Sequence, residues 1–497
     1  MILEGLLLTL RPGNIVIGII GTFIGIIIGA LPGLGANIAM TLALPLTFNW
    51  SADTAIILLM ALYCGATYGG SISAILLNTP GTPGSGATVF DGYPMAKKGQ
   101  GDIALGLSTM SSFIGGIIGA ILLFTVTPLI TTFVLKFGPA ESFLIAVFSL
   151  TIIGAMGEDK LLKGLISCGV GLMISFIGID VITGFKRFTF GSLYLADGLS
   201  SIVVMIGLFA IAEMLSLMTK GGDASVAEVL NPGTIKGVLK GCKMVFKYPI
   251  NLIRSSIIGA VVGAMPALGV TTAAFVSYMA TSNSSKHPET FGEGEPEGLI
   301  SPEAANNAVT ATALMPTLTL GIPGSTVMAI ILGALTIQGI IPGPDIFNYN
   351  AQYVYAVMFA LFLINAYMLF IGVSCGGFIS RITILPNSIL APTVMVLCII
   401  GAFAINMAWQ DIITAVLFGF VGFGVKRFKF SNLGLILGLI LGPIAETSFH
   451  QALRIAGGDW SIFVRSGISK VLIVCIIISI AYPITKKILK TKKAKAA

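Results

Sequence analysis

Charge is what this sequence has least of. Its 28 basic and 21 acidic residues make up only 10% of 497 positions, against about 25% in a soluble domain. A soluble chain of this length needs far more charge to cover its surface, so a soluble globular protein is excluded. Histidine is nearly absent: His287 and His450 stand far apart, which leaves no basis for a His-based metal or nucleophile site. The six cysteines (Cys64, Cys168, Cys242, Cys375, Cys398 and Cys475) are scattered, mostly inside apolar runs, with no CxxC spacing. Neither a disulfide framework nor a zinc site is supported. There is no HExxH and no GxxxxGK[ST], which disfavours an intramembrane metalloprotease and a nucleotide-driven pump. The first residues, MILEGLLLTLRPGN, carry an acid and no basic region before the first apolar stretch. They do not read as a cleaved signal peptide, and the first span is expected to stay.

What the chain does have is apolar length. Hydrophobic residues are 55% and mean hydropathy is +0.98, so this is an integral, all-α polytopic membrane protein embedded in a lipid bilayer. A spanning helix needs about 20 apolar residues, which gives room for roughly ten to thirteen membrane segments. Several apolar runs, such as 36–48, 270–281 and 325–341, are too short to span alone and come in pairs split by Pro-Gly clusters. Such pairs read as broken or re-entrant helices. The net charge of +7 is not a nucleic-acid patch. Much of it lies in Lys486, Lys487, Lys490, Lys492, Lys493 and Lys495, and more in the stretch from Lys220 to Lys247. Both read as cytoplasmic by the positive-inside tendency, which puts the C-terminus in the cytoplasm.

The breaks recur. GALPGLG (Gly29–Gly35) returns as GAMPALG (Gly263–Gly269), an offset of 234. TPGS (Thr82–Ser85) returns as IPGS (Ile322–Ser325), and GFKRFTF (Gly184–Phe190) as GVKRFKF (Gly424–Phe430), both at 240. IAEM (Ile211–Met214) returns as IAET (Ile444–Thr447), at 233. Four matches in one order at nearly one offset predict two homologous halves. The expected division is 1–218 for the first repeat, 219–249 for a cytoplasmic linker, 250–466 for the second repeat, and 467–497 for a final span and basic tail. An odd number of crossings per half would invert the repeats and an even number would make them parallel; the short segments leave both open.

Two kinds of site follow from the repeated breaks. Pro32 and Pro266 remove backbone donors, while Gly33, Gly35 and Gly269 permit angles a helix cannot use. The freed backbone groups need partners that lipid does not offer. With Asn37 and Thr41 after one break, and Thr271 and Thr272 after the other, cation coordination is expected there. The second kind is the pair of hydroxyl- and amide-bearing stretches that lead into Pro-Gly turns. Asn78, Thr79, Thr82 and Ser85 in the first half, and Thr317, Thr319, Ser325 and Thr326 in the second, are the expected substrate contacts. Helix N-termini after such turns present free N–H groups and a positive dipole end, which suit carboxylates.

No Lys or Arg lies inside these motifs, so an anionic substrate would rest on neutral donors, helix ends and co-bound cations. The stretch His287–Glu303 is acidic and reads as a solvated loop or a gate leading into Asn306 and Asn307, themselves candidate ion ligands. Asp180, Glu213 and Glu446 are acids in or near apolar segments, where ionisable residues are functional candidates. Glu213 and Glu446 occupy matching repeat positions. A channel would need a continuous polar pore, whereas these polar residues gather at paired breaks.

The motifs GALPGLGANIAMTLALPLTF, YGGSISAILLNTPGTPGSGATVFDGYPMAKKGQGD and GEGEPEGLISPEAANNA…LTLGIPGS resemble the large membrane subunit of the tripartite tricarboxylate transporter family. The resemblance covers nearly the whole chain, duplication included. It implies a secondary transporter, not an enzyme, working by symport without ATP or a cofactor and driven by a sodium or proton gradient. It implies two partners: a small membrane subunit of about four spans, and an extracytoplasmic solute-binding protein that delivers the substrate. Citrate and other tricarboxylates name the family, and its members handle varied small carboxylates. It further implies a bacterial or archaeal cytoplasmic membrane, a homodimer, inverted repeats and an elevator-like movement of the site. The alternatives are a stand-alone carboxylate carrier, a channel-like permease and, last, an intramembrane enzyme.

Overall fold

The computed structural model describes all residues except 32, 135–136, 156–160, 181, 220–232, 266–267, 344, 383–386 and 497. Among the described residues, eight helices are long and apolar enough to cross a membrane: Pro12–Ala30, Ala52–Leu77, Thr88–Thr131, Ser201–Thr219, Ala351–Gly376, Ser388–Asn406, Trp409–Arg427 and Asn432–Ile455. The helices Ile235–Val245 and Pro249–Ala264, bent by 83°, make a ninth crossing if counted together. Five shorter apolar helices, among them Gly35–Thr47 and Thr326–Ile337, supply the fragments expected of broken spans. The one sheet among the described residues is a two-residue hairpin pairing Gly178 with Arg187 and Ile179 with Lys186.

Helix Ala52–Leu77 is buried along its whole length. It is mostly apolar on every face, as a helix enclosed by other helices is, with Thr67, Ser71 and Ser73 among its few buried polar side chains. Helix Pro12–Ala30 lies directly on it, and glycine permits the approach. A Cβ on Gly29 would stand 2.1 Å from the Ala66 carbonyl oxygen. Helix Pro249–Ala264 packs in the same way on Pro296–Thr312, where a Cβ on Gly259 would stand 2.3 Å from the Ala305 carbonyl oxygen. Small residues let helix backbones close up in this manner inside membranes.

The described residues that flank the two breaks share one geometry. After Ala30, Leu31 turns extended (φ −77°, ψ 115°) and helix Gly35–Ala43 resumes with Gly35 at φ +63°. After Ala264, Met265 does the same (φ −87°, ψ 123°) and helix Gly269–Ser284 resumes with Gly269 at φ +65°. Only glycine enters this left-handed region freely. Pro32 and Pro266 lie outside the described residues. The stretches before the Pro-Gly turns also end alike: Ala52–Leu77 at Asn78 (φ 58°, ψ 20°) and Leu314–Leu320 at Gly321 (φ 67°, ψ 22°). Both are left-handed helix caps.

The acidic stretch is shorter than the sequence suggested. The loop ends at Glu295, and helix Pro296–Thr312 begins with proline at its first turn, where the missing N–H costs nothing. Glu303 therefore sits inside a helix and is fully buried, not solvated. Within the expected linker, Ile235–Val245 is a helix with Val238, Cys242 and Val245 turned inward and Lys236, Lys240 and Lys243 outward. The terminal lysines 486–495 carry no described side chains.

Candidate functional site

A cavity of about 610 Å³ forms where both breaks and both Pro-Gly turns meet. Gly33, Gly35 and Asn37 line it from the first break, and Gly269 and Thr271 from the second. Thr82 and Pro83 come from one turn, Ser325 and Thr326 from the other. Segments about 240 residues apart in sequence thus face one another across one space.

Three helices begin at this wall: Gly35–Ala43, Gly269–Ser284 and Thr326–Ile337. The residues preceding the first two, Leu34 and Leu268, cap nothing with their side chains. A helix leaves its first-turn amides without intrahelical partners, and no capping side chain takes them here. Ser325 caps the third by accepting from Met328 N at 3.3 Å. Converging N-termini make a partial positive charge without any basic residue, and that favours an anion.

Other expected site residues stand elsewhere. Asn78 and Thr79 are exposed at a helix end, and the Thr79 hydroxyl donates to the Leu77 carbonyl at 3.2 Å. Ser85 is buried inside its turn and donates to the Thr82 carbonyl at 2.8 Å. Thr317 and Thr319 donate back along their own helix, to Ala313 at 3.0 Å and Met315 at 2.7 Å. Thr272 is half-buried and outside the cavity wall. Asn306 and Asn307 are fully buried on helix Pro296–Thr312, also off the wall.

The structure also brings in residues from outside the expected binding motifs. Tyr63, Thr67, Glu213, Lys426 and Asn432 complete the wall. Lys426 Nζ donates to Glu213 Oε2 at 2.5 Å. Lys426 belongs to the repeated KRF motif of the second half and Glu213 to the IAE motif of the first. A second pair joins the same two motifs with the halves exchanged, one residue out of register: Arg187, next to the Lys426 equivalent Lys186, donates to both oxygens of Glu446, at 2.6 and 3.1 Å. The hairpin bearing Arg187 is tied at Asp180, where the Thr183 hydroxyl and then the Ile182 amide hold the carboxyl below its usual range. The cation missing from the binding motifs is therefore supplied to the cavity from a distant repeat.

Behind the first turn lies a buried polar layer. Glu303 accepts from Thr88 Oγ1 at 2.5 Å and from Ser112 Oγ at 2.9 Å. Asn306, one turn along, lies against the turn itself: a Cβ on Gly84 would stand 2.5 Å from its Oδ1. Neither side-chain atom of Asn306 has a hydrogen-bond partner.

The model of the tripartite tricarboxylate transporter TctA family matches residues 15–437. The chain belongs to this family. An uncharacterized 52.8 kDa protein in the TAR-I ttuC' 3'region of Agrobacterium vitis is 35% identical over 484 residues, 96% of this chain and 95% of that protein. An uncharacterized protein in the TAR-II ttuC' 3'region of the same organism is 33% identical over 233 residues, 46% of this chain and 96% of that protein. The TctA family match takes in both breaks, both turns, Glu303 and the Glu213–Lys426 pair, and stops short of Glu446. This TctA-family chain is a multi-pass membrane transporter subunit, and the cavity is its candidate transport site.

Proposed function

We propose that this chain is the large membrane subunit of a secondary, cation-coupled uptake transporter for tricarboxylates or related small carboxylates. The observation that carries the reading is the convergence of three helix N-termini and Lys426 on one cavity. Its volume of about 610 Å³ falls among those of small-molecule sites, about 300–1,000 Å³. The carboxylates would lie against the first-turn amides of these helices, with Asn37, Thr82, Thr271, Ser325 and Thr326 as side-chain contacts and Lys426 beside them. The shared geometry of the two breaks supports a division into two repeats, and the reciprocal ion pairs support a two-fold relation between them.

The substrate would arrive from an extracytoplasmic binding protein and the chain would work beside a small four-span subunit, in a bacterial or archaeal cytoplasmic membrane. The symported ion would be sodium or a proton.

Uptake of labelled citrate into proteoliposomes tests this, with the full chain and both partners reconstituted. Accumulation should follow an imposed sodium or proton gradient and vanish when the gradient is collapsed. Accumulation indifferent to both gradients would overturn the coupling. Full uptake with the large chain alone would replace the tripartite reading by a stand-alone carrier.

A further inference from the structure

Glu303 is a carboxylate at 0% exposure, enclosed by the hydroxyls of three helices. Ser71 stands on Ala52–Leu77, Thr88 begins Thr88–Met95, and Ser108 and Ser112 lie one turn apart on Gly101–Val134. Thr88 and Ser112 bond the two carboxylate oxygens directly. Ser71 and Ser108 also interact with the carboxylate, but neither hydroxyl completes a hydrogen bond of ordinary geometry, and both are buried to within 1%.

Among the described residues no Lys, Arg or His pairs with Glu303. A bare carboxylate at such depth is strongly disfavoured and needs a counter-charge or a proton. Hydroxyls can donate to a carboxylate while their lone pairs face a cation. Together the residues offer two carboxylate and four hydroxyl oxygens, a hard donor set suited to a hard cation. The set carries one negative charge. Among the described residues no group of three His, Cys, Asp or Glu is gathered to hold a more highly charged metal.

We propose that Glu303, with Ser71, Thr88, Ser108 and Ser112, forms a binding site for a monovalent metal cation. The site is separate from the cavity and grips the cavity's first turn from both sides. Thr88 follows that turn by three residues in the chain, and Asn306, three residues beyond Glu303, abuts Gly84 inside it. Filling the site would fix the position of Thr82 in the cavity wall. As a coupling device this rests on the uptake reading; as a cation site it does not.

The test uses the purified full chain in detergent and no transport. Thermal unfolding is followed in NaCl, KCl and choline chloride at fixed ionic strength and fixed pH. A cation that binds only the folded state raises Tm in a saturating manner. For the wild type, NaCl or KCl should raise Tm above choline chloride, and whichever does so names the ion. Glu303→Gln should lose this rise. The pair Ser71→Ala and Ser108→Ala, which keeps the carboxylate, should move the midpoint of the titration at least about tenfold upward. The proposal is overturned if neither salt moves the wild type, if the rise survives intact in Glu303→Gln, or if the serine pair titrates like the wild type. Should Glu303→Gln not fold, the serine pair decides alone. A wild type that shows the rise yet, with both partners present, takes up neither citrate nor other small carboxylates would sink the uptake reading and leave the site standing.

Discussion

Lys426 and Glu213 pair at 2.5 Å across the two repeated motifs, and Arg187 and Glu446 pair at 2.6 Å with the motifs exchanged. Only the first pair lines the cavity. Its side chains are 44% and 26% exposed, and exposed pairs contribute only about 0–1 kcal/mol to stability. Its purpose is therefore sought in transport. A substrate carboxylate can compete with Glu213 for the ammonium. Lys426→Gln is expected to raise KM for the labelled carboxylate by about tenfold or more, a loss of about 1.4 kcal/mol, with Tm nearly unchanged. Arg187→Gln, at a residue that does not line the cavity, should leave KM close to the wild type. A Lys426→Gln protein with wild-type KM would remove the lysine from the binding scheme.

Glycine positions differ sharply in what a methyl group would meet. At Gly29 it meets the Ala66 backbone at 2.1 Å, whereas at Gly13, in the same helix, nothing lies within 4 Å. Gly29→Ala forces the two helices apart and should cost at least the about 1–3 kcal/mol typical of overpacking. Gly13→Ala should be neutral or stabilising by up to about 1 kcal/mol, because alanine is the better helix former. Tm in detergent reads both. Equal Tm values for the two variants would contradict the close helix contact.

Asn78 reads from the sequence as a substrate contact, and the structure gives it a left-handed backbone at a helix end, the role that Gly321 has in the second half. The two roles separate by substitution. Asn78→Gly keeps the cap and removes the side chain, so uptake within about twofold of wild type is expected if capping is the whole role. Asn78→Val, strained by about 1–2 kcal/mol in that region, should lower Tm. Uptake abolished in Asn78→Gly would restore the side chain to the binding site.

The paired breaks were legible because helix breakers have few uses inside a membrane and here occur twice in one order. Their matching dihedrals at Leu31 and Met265, and at Gly35 and Gly269, follow from that repetition. Lys426 was not legible. A repeat offset relates Lys426 to Lys186 and Glu213 to Glu446, but it says nothing of which motif meets which across the halves, as Lys426 meets Glu213. Glu303 reads as solvated because four other acids and several Gly and Pro precede it, yet it is fully buried. The usable signal was Pro296 at a helix start. From there Glu303 and Asn307 fall four apart on one face, and the serines at 108, 111 and 112 lie inside an apolar run.

Asn37 offers a prediction in which stability and binding move apart. It lies in the first turn of Gly35–Ala43 and lines the cavity. An acid there favours the helix by about 0.3–1 kcal/mol through the N-terminal dipole. The same acid faces the space assigned to the substrate's carboxylates and repels them. Asn37→Asp should therefore hold or raise Tm while raising KM by about tenfold or more, and Asn37→Gln should hold both near wild type. A merely structural Asn37 would leave KM untouched in Asn37→Asp. An Asn37 that ligates the coupling cation would instead show a steeper response of uptake to sodium, because the new carboxylate strengthens a cation site and weakens an anion site.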